Sequence, residues 1–398
     1  MTAAPWRRVA FAMFAVGWGA NQFASMLLVY RARVGVSAGT ADALFGGYAL
    51  GLIPALLVGG PLSDRFGRRA LARPAVVLSL VATAVLVLGA HDVAALAVGR
   101  VLAGLASGLV FAPGTAWVKE LSGAPWDPGT DPQAGARRAA IALSAGFGTG
   151  PLVAGLAAQY LPAPLWVPYL PHLVVVVAAG LWVWTAPETV TPTPGAPVLA
   201  RLRVRSVARP RFRGVVAPLA RWVFGAASIS LTVGAALVAP RTGGFAVAFA
   251  GLLAGLTLGT GVAVQPLARR LDARDDVRGM TVGLLAVATG CGVQAAAALT
   301  ARPELALVAG LLLGTGYGTC LVAGLLETQR IAPPSELAGL TAVYYALTYL
   351  GFGAPILLES LTAFASRAVL LAAAALLALA TLGVVLVAAA RSAEQRQG

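Results

Sequence analysis

The chain has 398 residues, 59% of them hydrophobic and 11% charged, against roughly 45–50% and about 25% in a soluble globular domain. Its apolar residues come in runs of about twenty, the length that crosses roughly 30 Å of hydrocarbon at about 1.5 Å per residue. The formal charge of +14 would suit nucleic-acid binding, but the basic residues sit in short gaps between apolar runs, which excludes that reading and indicates a polytopic helical membrane protein.

The first predicted span, 9–30, follows Arg7 and Arg8. It exceeds the about 7–15 apolar residues of a signal peptide and has no small-residue cleavage site after it, so it reads as a retained helix. Further spans are predicted near 42–62, 74–90, 93–118, 138–161 and 165–185. After a long break come 216–238, 245–265, 279–298, 304–326, 336–358 and 367–390, twelve in all. An even number places both termini on one side of the membrane. Lys and Arg crowd the gaps on that side, while the other side holds only Arg31, Arg33, Arg241, Arg302 and Arg367. The positive-inside bias therefore predicts a plasma-membrane protein with cytoplasmic termini.

The break at 187–214 joins the Pro-rich "TPTPGAP" to the basic "RLRVRSVARPRFRG". It reads as a cytoplasmic linker between a six-span half, 1–186, and a second, 215–398. Its arginines either lie against anionic lipid headgroups or simply enforce topology. The halves also echo each other: "PLSDRFGRR" (61–69) follows span two and "PLARRLDAR" (266–274) follows span eight, the kind of internal repeat from which many transporters are built.

Three motifs carry a family resemblance. The loop after span two, "GGPLSDRFGRR", supplies Gly60, Asp64, Arg65, Gly67, Arg68 and Arg69; span four contains "GRVLAGLASG" with Arg100, Gly104 and Gly108; span five contains "GFGTGPLVAG" with Gly146, Gly150, Pro151 and Gly155. On these residues the chain resembles the major facilitator superfamily over essentially its whole length. The resemblance implies an all-α membrane protein of twelve transmembrane helices in two pseudo-symmetric six-helix halves, working as a secondary transporter by alternating access. The span-five motif is similar to that of the superfamily's drug–proton antiporters, with Ala154 where their pattern has glycine, and implies export.

Each motif also has a physical reading. "PPSEL", with Ser335 as N-cap, starts span eleven, and its free N–H groups would favour the Asp64 carboxylate by roughly 0.3–1 kcal/mol. Asp64 would then latch the two halves together; alternatively the loop only caps and orients span two. Arg100 lies roughly 10 Å deep by helical rise, where an arginine needs a partner or a wet cavity. It serves proton coupling or substrate binding, or it snorkels to the outer headgroups. Glycines four apart suit close helix packing, and Pro151 bends its helix.

Proton coupling requires a titrating group, and no Asp or Glu falls at the middle of a predicted span. Asp42, with Arg31 or Arg100 as partner, is the first choice, the alternative being a solvated aspartate at a span start; Glu327 is the second. His91 is expected in an exposed turn, and His172, near the outer end of span six, either titrates near neutrality or is an interfacial side chain with one satisfied hydrogen bond. By the resemblance the cavity is lined by spans one, four, seven and ten and parts of two, five, eight and eleven. Its candidate lining groups are Trp18, Asn21, Gln22, Tyr317, Tyr344, Tyr345 and Tyr349. Aromatics with isolated amides suit an uncharged or lipophilic ligand, although each tyrosine could instead make an interhelical bond. Asn21 and Gln22 lie about 100° apart on a helix, so at most one is expected to face the cavity.

Cys291 and Cys320 fall inside apolar runs, so neither a disulfide framework nor a metal cluster is indicated. No P-loop or nucleophile–base pair supports ATP-driven transport or an enzyme. The expected partners are a small-molecule substrate, protons and the lipid bilayer, with no cofactor, no nucleic acid and a monomeric chain. The leading expectation is proton-coupled efflux. Uptake of a nutrient or small anion, with Arg100 as carboxylate ligand, and a non-transporting sensor are the alternatives.

Overall fold

The structure is a computed structural model that describes residues 4–131, 134–192, 204–271, 277–333 and 336–397. The described residues form helices and no strands. Five long apolar helices come first: α1 (Trp6–Arg33), α2 (Ala38–Phe66), α3 (Arg68–Leu88), α4 (Val93–Glu120) and α5 (Ala134–Tyr160). The sixth, α6 (Val167–Val183), is apolar but shorter and opens with a 3-10 turn, Val167–Tyr169. Six more follow: α7 (Phe212–Arg241), α8 (Ala246–Leu271), α9 (Arg278–Thr300), α10 (Pro303–Ile331), α11 (Gly339–Ala363) and α12 (Arg367–Arg391). Each of the predicted spans thus has its helix, and α2 and α10 run on past the predicted ends to Phe66 and Ile331.

The chain divides into two compact units, Met1–Val36 with Leu44–Leu202, and Ser37–Ala43 with Arg203–Gly398. In the first, α1 packs on α4, α5 and α6, and α3 packs on α4 and α6. In the second, α10 packs on α7, α8 and α9, and α9 packs on α12. The outer face of α12 leaves Leu376, Leu377 and Val387 exposed. Such apolar exposure is ordinary for a helix whose solvent is lipid.

Two helices depart from regular geometry. α1 is interrupted at Gln22, between Trp6–Asn21 and Phe23–Arg33. α7 contains two π-helical stretches, Phe212–Val216 and Ile229–Gly234, wide turns that free backbone groups from regular pairing.

The same close helix contact recurs in both units. On α4, a methyl at Gly104 would lie 2.8 Å from Leu52 N, and one at Gly108 would lie 2.6 Å from the Ala55 Cβ of α2. On α10, a methyl at Gly318 would lie 2.6 Å from the Gly261 carbonyl carbon of α8, and Gly314 faces Thr257 in the same way. Without a hydrophobic force between helices in lipid, backbone approach through small residues supplies the packing. The repeat read from two loops is therefore also present in the helix interfaces.

Candidate functional site

The loop between α2 and α3 is built around a buried arginine. Gly67 has φ 97°, a conformation that suits glycine, and it turns the chain so that α3 begins at Arg68. The Arg68 guanidinium donates to Asp64 Oδ1 at 2.8 Å, Glu120 Oε1 at 2.8 Å and Ser63 Oγ at 3.0 Å. It joins the ends of α2 and α4 to the start of α3. The Thr189 hydroxyl donates to the other Glu120 oxygen. Glu188 then caps α3: its carboxylate accepts from Arg68 N at 3.0 Å and Arg69 N at 2.9 Å, an anion placed where the helix dipole favours one.

The remaining motif residues surround this network. Arg65 lies over the Phe66 ring at 5.0 Å, Arg69 Nε donates to Ala186 O at 2.6 Å, and a methyl at Gly60 would meet nothing within 4 Å. Asp64 therefore has a partner within its own unit. Ser335, the expected N-cap of span eleven, lies outside the described residues. Glu188 was missed in the sequence. Its only signal there is a lone acid in "APETV", just past the end of a span.

Arg100 does not snorkel. It is 1% exposed, and its three nitrogens donate to backbone carbonyls: Nη1 to Ala20 at 3.0 Å, Nη2 to Phe45 at 3.2 Å and Nε to Leu44 at 3.3 Å. The guanidinium also sits 4.7 Å from the Phe23 ring centroid and 4.9 Å from that of Tyr48. Ala20 lies two residues before the interruption of α1 at Gln22. One side chain on α4 thus holds α1 and α2. Its partners are carbonyls and ring faces, which leaves it enclosed and unlike an open carboxylate receptor.

The glycine–proline segment of α5 sits directly on α1. Methyls at Gly146 and Gly150 would lie 2.9 Å from Trp18 N and 2.6 Å from Trp18 O, Gly155 is buried, and the Ser25 hydroxyl donates to Pro151 O at 2.6 Å. Trp18 is itself buried, and its Nε1 has no hydrogen-bond partner among the described residues.

Gln22 and His172 depart from expectation. Gln22 is fully buried, and its Nε2 donates to Thr83 Oγ1 of α3 at 3.2 Å. Only half-buried Asn21 remains of that pair as a lining group. His172 is not interfacial: it is fully buried, with Nε2 3.0 Å from Ala15 O and Nδ1 2.9 Å from Thr83 Oγ1. A carbonyl only accepts, so Nε2 carries a proton. Gln22, Thr83, His172 and Ala15 thus form one chain of buried hydrogen bonds that ties α1, α3 and α6 together. Close approach of α6 to Gly19, where a methyl would lie 2.7 Å from His172 Nε2, explains the burial.

In the second unit Glu327 is 1% exposed and is paired with Arg211, and more loosely with Arg330 at 3.4 Å. It closes the end of α10 against the start of α7. Tyr344 is also spent on helix contact, donating to Leu321 O at 2.9 Å and lying 3.2 Å from Cys320 O. Phe224 gathers the other aromatics, with ring centroids 4.4 Å from Tyr349, 5.1 Å from Phe352 and 5.4 Å from Tyr317. Tyr345 is half-buried. Gln294 of α9, which the sequence reading passed over, is fully buried with neither amide atom hydrogen-bonded among the described residues. Asp42 is 9% exposed, so it is not a solvated aspartate at a helix start.

Long apolar helices with charged loops at their ends and polar groups enclosed between them define a polytopic helical membrane protein, and the family it matches is one of transporters. The chain belongs to the Major Facilitator Superfamily, whose family model matches residues 9–354. Solved structures share the fold. A POT family transporter in complex with 5-aminolevulinic acid superposes with a TM-score of 0.79 at 12% identity, over 97% of this chain and 96% of that one. A peptide transporter POT in complex with sulfate gives 0.73 at 16% identity, over 97% and 95%. The nucleoside transporter NupG gives 0.74 at 12% identity, over 96% and 98%. No match was found among curated proteins compared by sequence.

Proposed function

We propose that the chain exports a small, uncharged or lipophilic organic compound across the plasma membrane in exchange for protons. The observation that carries this reading is the seating of Gly146 and Gly150 of α5 on the Trp18 backbone of α1. That contact supports a gating role for the antiporter-like motif: a helix whose contact face is glycine can approach a neighbouring backbone closely and part from it again. Buried Asp42 is the proposed proton carrier, and Glu327, held by Arg211 and Arg330, is the second candidate. Trp18, Asn21, Tyr317, Tyr345 and Tyr349 are proposed to line the compound's path. In the same proposal Asp64 bridges the halves in one state of the cycle, the termini are cytoplasmic and the chain acts as a monomer. The peptide and nucleoside transporters of similar fold are at most 16% identical among those named, a likeness that carries fold and no substrate.

Enclosure of the Arg100 guanidinium by three carbonyls favours this reading over anion uptake with Arg100 as the carboxylate ligand. The test is flux in sealed proteoliposomes with an internal pH dye, challenged with lipophilic cations, neutral antibiotics, sugars and small anions. Proton movement opposite to a compound, abolished in Asp42→Asn, is the expected result. Compound flux with no proton movement would replace exchange by uncoupled transport, and binding without flux would make the protein a sensor.

A further inference from the structure

Beside the α2–α3 loop lies a groove of about 690 Å³, open along α3 and bordered by Trp184 just past α6. Its upper end holds Arg69 and Arg73, one helical turn apart; below them Val77 and Val81 continue the same face of α3 and, with Phe66, are exposed. From Arg69 to Val81 is about 18 Å at 1.5 Å per residue, close to one leaflet's share, about 15 Å, of the hydrocarbon thickness. The groove therefore has the length of a single leaflet, with a basic end at the membrane surface and an apolar end within it.

The basic end has unspent donors. Arg73 gives one bond to Trp184 O at 2.5 Å and lies 5.4 Å from that ring, while its Nε is buried without a hydrogen-bond partner among the described residues. Arg69 commits its Nε to Ala186 O. Among the described residues bordering the groove the acid is Glu188, whose carboxylate accepts from the N–H groups of Arg68 and Arg69; its single charge acts on Arg73 through space and leaves the pair of guanidiniums with a net positive charge. In hydrocarbon an unsatisfied donor is costly, and two guanidiniums at a headgroup attract an anion with several acceptor oxygens.

We propose that this groove is a binding site for one anionic phospholipid, its phosphate held by Arg69 and Arg73 and one acyl chain lying along Val77 and Val81. The site is on the outer surface of the first unit and is independent of which compound the protein carries.

The test uses the full chain in phosphatidylcholine nanodiscs doped with phosphatidylglycerol brominated on its acyl chains. The Trp184 signal is isolated as the difference between wild type and Trp184→Phe. Brominated phosphatidylglycerol should quench it at about one-fifth the mole fraction that brominated phosphatidylcholine requires, the weight of one basic residue at an anionic membrane surface. Arg73→Gln should remove that preference, Arg302→Gln should keep it, and Val77→Phe, which fills the lipid-facing groove without touching the core and adds no tryptophan, should reduce quenching by both lipids. Equal quenching by the two lipids in wild type, or a preference that survives Arg73→Gln, overturns the proposal. Loss of the preference on adding inorganic phosphate also overturns it, in favour of a site for free phosphate.

Discussion

Replacing Arg100 by lysine tests whether the carbonyl cage or the charge alone matters. The guanidinium makes three hydrogen bonds from one rigid plane, and an ammonium on a shorter donor set can keep about one. Bonds to charged groups are worth about 1.5–3 kcal/mol in soluble proteins, whereas intramembrane bonds average nearer 0.6 kcal/mol. Two lost bonds therefore cost between about 1 and 6 kcal/mol. Weakened contact with the Phe23 and Tyr48 rings adds about 0.5–2 kcal/mol, and about 3 kcal/mol is the working figure. Arg100→Met should cost less, because it removes the bonds and the buried charge together, and the desolvation penalty goes with the charge. The assay is unfolding of the purified chain by titration with sodium dodecyl sulfate in mixed micelles, read by tryptophan fluorescence. If lysine is tolerated as well as methionine or better, the geometry of the cage is not what holds Arg100, and the assignment of α1–α2–α4 clamping to it is wrong.

The glycine contacts predict paired effects. Gly104→Ala and Gly318→Ala should each destabilise by about 1–3 kcal/mol through overpacking, whereas Gly259→Ala, with nothing within 4 Å, should be close to neutral in the same unfolding titration. Thr83→Val should cost about 1–3 kcal/mol, since it strands buried atoms of both Gln22 and His172; imidazole nitrogen shifts of His172 should change with it, and unchanged shifts would remove the Thr83 bond. Glu188→Ala should cost about 1 kcal/mol as the loss of a helix cap, with faster hydrogen exchange confined to the amides that begin α3. Glu336 accepts from Ser206 N at 2.8 Å. The hydrogen bonds from Ser206 hold its carboxyl below the usual value for glutamate. A depressed folded value means that the tie is present above the unfolded pKa of about 4.3 and is lost as pH falls through the folded one. The difference in Ser206 protection between wild type and Glu336→Gln should therefore be seen at pH 7 and vanish at strongly acidic pH.

The sequence by itself determined the membrane class, the number of spans and the repeat, because twenty-residue apolar runs and basic gaps are local properties that lipid enforces on any chain. It also located the Arg68 loop and the glycines, since short motifs keep their residues together. Partners far apart in the chain were decided only by tertiary structure. Glu188 reaches Arg68 and Arg69 across more than a hundred residues, and nothing in "APETV" says which helix start it will cap. His172 reads as interfacial from its place near a span end. Only the approach of α6 to Gly19 of α1 buries it and supplies its Ala15 partner. The same holds for Arg100: its depth follows from helical rise, but whether it meets headgroups, a carboxylate or a ring of carbonyls depends on which helices pack beside α4. A span's hydropathy records that it will be buried in lipid or protein, and only packing decides which of its polar atoms meet each other.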